Sequence, residues 1–156
     1  MLMPTRYDID PHICDKLMTL LGLIHSEKDL FNHIASFTSD RHLRDSILML
    51  AQSTNQFSNE LFAHMQTLGI NPKVQNTSIE PAVIESLCAT GEQSGLEGGK
   101  SLLCLCCERE KKLVMVYRDI LNEPYLPKES RTMLRQQLNG ITYSFVQVKL
   151  LRMEYV

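Results

Sequence analysis

"LRDSILMLAQSTNQFSNELFAHMQTLGINP", residues 43–72, decides how this chain folds. Leu43, Ile47, Leu50, Thr54, Phe57, Leu61, Met65 and Leu68 recur at steps of three and four, almost without a break. At 3.6 residues per turn this spacing keeps all eight side chains on one face of an α-helix. Gly69 is placed to cap the C-terminal end, and Pro72 stops the helix from continuing. The helix is expected over about residues 40–68. At about 1.5 Å per residue it is roughly 42 Å long, and a seam of that length can be buried only against other long helices.

The flanking sequence supplies them. Asp10-Pro11 is a capping carboxylate followed by a proline suited to a first turn. Ile13, Leu17, Leu20, Ile24, Phe31 and Ile34 then mark a helix over about 10–37, ended by the polar "TSD" at 38–40. A third stripe, Leu103, Cys106, Glu110, Leu113, Tyr117 and Ile120, marks a helix over about 100–121. "NEPYLP" at 122–127 breaks it. Leu134, Leu138, Ile141, Phe145, Val148, Leu151 and Tyr155 mark a fourth over about 127–155. No strand-like alternation competes.

Loop lengths select the topology. The first two helices are joined by three or four residues and the last two by about five, so each pair is an antiparallel hairpin. The connection over about 69–99 is long enough to travel the length of a bundle. Within it, Ser78–Ala89 can form a short helix, and "TGEQSGLEGG" at 90–99 reads as a loop. The expected fold is a single all-α domain, 1–156. It is a ferritin-like four-helix bundle of two hairpins joined by a long crossover that contains a short extra helix.

The second helix also resembles that of a bacterial ferritin-like family known only as a domain of unknown function. The shared framework is Leu50, Ala51, Phe57, Glu60, Leu61, Leu68 and Gly69. The family's third helix carries a Gly-Glu pair and a Tyr seven residues later. Here Arg109-Glu110 and Tyr117 stand there, with Arg in the glycine's place. Its last helix follows Leu-Pro, matched by "YLPKESRTMLRQQL" at 125–138, but Ser144 and Phe145 occupy the place where a His often sits. The similarity covers roughly residues 17–152. It implies a ferritin-like bundle in a bacterial protein and implies no activity.

Composition narrows the function classes. Hydrophobic residues make up 44% and charged residues 22%, ordinary for a globular chain of 156 residues. Net charge is -2 and the 16 Lys and Arg are scattered, so no nucleic-acid partner is expected. The N-terminal "MLMPTRYDID" has no apolar core of a signal peptide, and no apolar run is long enough for a membrane span. Five cysteines, with Cys106 and Cys107 adjacent, fit reduced thiols and a cytoplasmic location better than a disulfide framework.

Ferritin-like metal centres use four Glu and two His, with Glu-x-x-His on two helices. The seam residues offer part of this set as candidate metal ligands: Glu27, Glu60, His64 and Glu110. Ala63 stands where the spacing wants His, and the fourth helix offers only Gln137, Thr142, Tyr143 and Ser144 at mid-length. The plain structural reading is that Glu60 and His64 form an exposed i, i+4 pair and that Glu27 reaches solvent or pairs with a Lys. Glu110 lies in the seam itself and needs a partner across the bundle. Cys104, Cys106 and Cys107 sit on one helix without a second cysteine pair, which favours core packing over a zinc or redox site. "GLEGGKS" at 95–101 lacks the spacing of a phosphate-binding loop and follows no strand.

The functional expectation is therefore a non-enzymatic protein without cofactor. It would act through an unknown protein partner or as a homo-oligomer, by way of an apolar helix face. The alternative is a divalent-metal-binding or oxidative-stress protein holding Fe, Mn or Zn on a degenerate carboxylate site.

Overall fold

The computed structural model describes residues 9–73 and 96–154, which form four helices and no strand. They are α1 (Pro11–Ser36), α2 (Arg41–Thr67), α3 (Leu96–Leu121) and α4 (Lys128–Glu154). The expected short helix at Ser78–Ala89 lies outside the described residues. One boundary is corrected: α3 starts at Leu96, not near Lys100, and takes in Gly98 and Gly99. Each glycine weakens a helix by about 1 kcal/mol but does not forbid it.

The ends are made by side chains and by one glycine. Asp10 accepts from the His12 backbone N–H at 2.9 Å, and Asp40 accepts from that of His42 at 3.0 Å. Each satisfies one of the donors a helix start leaves open. At the end of α2, Gly69 adopts φ 78°. Its N–H donates to Gln66 at 3.0 Å, and that of Ile70 to Met65 at 3.0 Å. This is a Schellman ending, which needs a left-handed residue at that point and so favours glycine. The last carbonyls of α3 are closed from outside. Arg131 of α4 donates to the Leu121 carbonyl, and to the Glu123 carbonyl at 2.7 Å.

α1 packs on α2, α3 on α4, α1 on α3 and, more lightly, α2 on α4. Contacts between side chains give the directions. Lys16 reaches Asp119 at 3.0 Å and Glu123 at 2.6 Å, whereas Glu27, farther along α1, meets Arg109. α1 and α3 therefore run antiparallel. His64 meets Ser130 and the Phe57 carbonyl meets Gln137, so α2 and α4 do too. The close approach of α2 to α4 depends on Gly140. A Cβ there would lie 2.9 Å from Cζ of Phe57. Gly140→Ala gains about 1 kcal/mol of helix propensity but must displace the ring, at about 1–3 kcal/mol. The expected net loss of about 1 kcal/mol would appear as a lower urea midpoint.

The apolar interior is divided. One cluster contains Ile13, Leu17, Leu20, Leu21, Ile24, Leu61, Met65, Leu113, Tyr117, Ile120, Leu134 and Ile141. It lies toward the α3–α4 turn. The other contains Leu30, Phe31, Ile34, Leu43, Ile47, Leu50, Ala51, Cys106, Cys107 and Val148, toward the α1–α2 turn. Between them along the helices come buried polar residues: Glu27 between Ile24 and Leu30, Glu110 between Cys107 and Leu113, and Thr54 and Ser58 between Ala51 and Leu61. A polar belt crosses the core at mid-height.

Candidate functional site

The belt is where the fold concentrates its chemistry. Glu27 occurs in the inward stripe of α1, three residues after Ile24 and four before Phe31, and its solvent exposure is 0%. Glu110 holds the equivalent place on α3, four residues after Cys106 and three before Leu113, and is 3% exposed. Arg109 lies on the flank of α3 and places Nε 3.0 Å from Oε1 of Glu27. The contact is an ion pair without hydrogen-bond alignment. Both oxygens of Glu27, Oε2 of Glu110 and Nε of Arg109 have no hydrogen-bond partner. Such groups are costly, because burial strips their water and nothing fully replaces it.

Protonation follows from this geometry. Burial raises the Glu27 carboxyl to about 6, opposed by the Arg109 charge and, more weakly, by Lys112. Burial and then the charge of Glu27 raise Glu110 to about 8. Cys106, fully buried, is pushed well above the ordinary thiol value by burial and next by Glu110. A thiol so placed is a poor nucleophile. Cys106 and Cys107 pack in the second cluster as the sequence reading expected, while Cys104 and Cys14 are half-buried. Cys88 lies outside the described residues.

The sequence candidates separate into two groups. Glu27 and Glu110 lie on facing helices, near enough for the charge of Glu27 to raise Glu110. Glu27 neither reaches solvent nor pairs with a Lys; its partner is Arg109, which corrects the reading from sequence. Glu60 is exposed. His64 is half-buried, with Nε2 2.6 Å from Oγ of Ser130. Burial lowers its pKa, opposed by the charge of Glu129. Ser130 is 0% exposed.

Among the described residues no group of three or more His, Cys, Asp or Glu could hold a metal ion. At the level of the belt α2 offers Thr54, whose hydroxyl donates to the Leu50 carbonyl at 2.7 Å. Among the described residues the buried ones of α4 are Ser130, Leu134, Gln137, Ile141 and Val148, none of them a carboxylate or His. Two carboxylates, one already held by a guanidinium, do not fit the ligand set of a ferritin-like metal centre.

A second buried polar contact was not foreseen. Tyr117 donates its hydroxyl to Oε1 of Gln137 at 2.7 Å, and Nε2 of Gln137 donates to the Phe57 carbonyl at 3.2 Å. Three helices are thereby joined through one amide. Gln137 falls three residues after Leu134 and four before Ile141, and that place in the stripe was the available signal. Arg109 was missed for another reason. It lies off the α3 seam, and its meeting with Glu27 depends on how α3 is seated along α1.

No helix among the described residues is long and apolar enough to cross a membrane. Compared with protein-family models, curated proteins and solved structures, the chain gives no significant match.

Proposed function

We propose that this chain is a ferritin-like bundle of the bacterial cytoplasm that acts without catalysis, by pairing with a second copy of itself. One observation carries the pairing. On α4, Tyr143, Val146 and Leu150 are 68%, 47% and 51% exposed, on the face away from buried Ile141 and Val148. Their i, i+3, i+7 spacing makes a narrow helical seam like that of a coiled coil. Such a stripe is self-complementary in a twofold arrangement, since each copy presents the same three side chains. The topological part rests on the antiparallel contacts. With α3 antiparallel to α1 and α4 antiparallel to α2, the segment between α2 and α3 joins opposite ends of the bundle, as a ferritin-like crossover does.

The pairing is weak by its own arithmetic. Six side chains at about 2 kcal/mol each give roughly 12 kcal/mol of burial, against an association cost of about 4–15 kcal/mol. Light scattering on a dilution series should therefore show mass falling from dimer to monomer in the micromolar range or above. Val146→Glu places like charges across the twofold axis and should give a monomer at every concentration, with unchanged helix content. A wild type that stays monomeric to millimolar concentration removes the proposal. Elemental analysis of untagged protein, purified without chelator, addresses the alternative. About one equivalent of Fe, Mn or Zn would favour metal binding over this reading, and traces would leave it without support.

A further inference from the structure

The buried belt holds one more acid than base. Glu27 is balanced by Arg109 at 3.0 Å, while Glu110 has, among the described residues, no ion-pair partner and an oxygen without a hydrogen bond. Among the described residues no other helix corrects the surplus. The buried residues of α2 are Leu43, Ile47, Leu50, Ala51, Thr54, Ser58, Leu61 and Met65, and none titrates. Among the described residues the buried face of α4 offers Ser130, Leu134, Gln137, Ile141 and Val148, which likewise do not titrate. From α3 itself come Arg109, the weaker charge of Lys112, and the thiol of Cys106, whose ionisation burial disfavours.

We propose that Glu27, Arg109 and Glu110 form a one-proton latch between α1 and α3, closed while a single proton neutralises the surplus carboxyl and loosened as that proton is lost. The closed seam then holds one ion pair and one neutral acid. The loosened seam admits water to a second carboxylate. Cys106 lies one turn from Glu110 with 0% exposure, so it reports the opening. An opening linked to the loss of one proton becomes about tenfold more favourable per pH unit, until the closed form has itself lost the proton. For Glu110 that limit is about pH 8.

The test is iodoacetamide labelling of the full chain, resolved at Cys106 by mass spectrometry between pH 6 and pH 10. In the opened state the thiolate fraction contributes about one decade of rate per pH unit below its pKa, and the latch adds about one more. Wild-type Cys106 should therefore gain about two decades per unit from pH 6 to 8, and then level off as the opened thiol passes its own pKa of about 8.5. Glu110→Gln should gain about one decade per unit over the same pH 6 to 8, and Cys14, half-buried on α1, should gain about one per unit in both proteins. Equal slopes at Cys106 in the wild type and the variant would overturn the latch. If the variant does not fold, infrared spectroscopy of the wild type decides. A protonated-carboxyl band present at pH 7 and lost at pH 10 supports the latch, and its absence at pH 7 overturns it.

Discussion

Arg109→Met should cost the fold about 3 kcal/mol at pH 8 and under about 1 kcal/mol at pH 5, measured by urea unfolding at both values. The variant keeps most of the apolar stem, so packing changes little. What goes is the charge 3.0 Å from a carboxylate with 0% exposure. Removing one partner of a buried ion pair typically costs about 3–5 kcal/mol, because the other charge stays behind without water. Here the stranded group has an exit. Glu27 already titrates at about 6 with the arginine present, and without it the carboxyl must rise further. At pH 5 it takes a proton and the penalty fades. A loss of equal size at both pH values would mean that Arg109 contributes by packing and not by charge.

The second large effect is an inverted pH dependence of stability. Glu110 titrates at about 8 in the folded chain against an ordinary value of 4.5, and Glu27 at about 6 against the same 4.5. Between those values the native state binds more protons than the unfolded state, so stability falls as pH rises. Each group contributes a slope of about 1.4 kcal/mol per pH unit inside its window. The burial penalty is absent below pH 4.5, grows to about pH 6 for Glu27 and to about pH 8 for Glu110, and is constant above. Stability should therefore peak near the acid edge of the usual pH 5–8 range. Glu110→Gln should flatten the curve between pH 6 and 8 and raise stability at pH 8 by about 2 kcal/mol, since its amide is buried without being charged. A wild-type curve that rises from pH 6 to 8 would rule out a protonated Glu110.

How far these effects were legible in sequence can be judged residue by residue. The spacing from Leu43 to Leu68 defined α2, and Gly69 with Pro72 defined its end, because helix period and capping are local properties. The start of α3 was misjudged for the same local reason: Gly98 and Gly99 weaken a helix that nonetheless includes them. Glu110 could be recognised as a buried acid because it interrupts an apolar stripe. Its relation to Glu27, and the meeting of Glu27 with Arg109, depend on how far α3 is shifted along α1. Nothing within either helix fixes that shift. The same limit misgrouped Glu60 and His64 with Glu27. Both lie on α2, but one faces solvent and the other meets Ser130 near the start of α4.

The polar belt has a consequence for how the chain unfolds. An unbroken apolar core transmits disorder along its whole length, because losing one layer removes contacts from the next. Here Leu30, Phe31 and Ile34 are separated from Ile24 and Leu20 by a layer whose attraction changes with its charge state. Hydrogen exchange should therefore show two cooperative units joined by a titratable spacer, with protection that separates as pH rises through 8. With the spacer neutral the halves should melt together. When it carries excess charge, the half nearer the α1–α2 turn can open while the half tied by Lys16, Tyr117 and Arg131 remains folded.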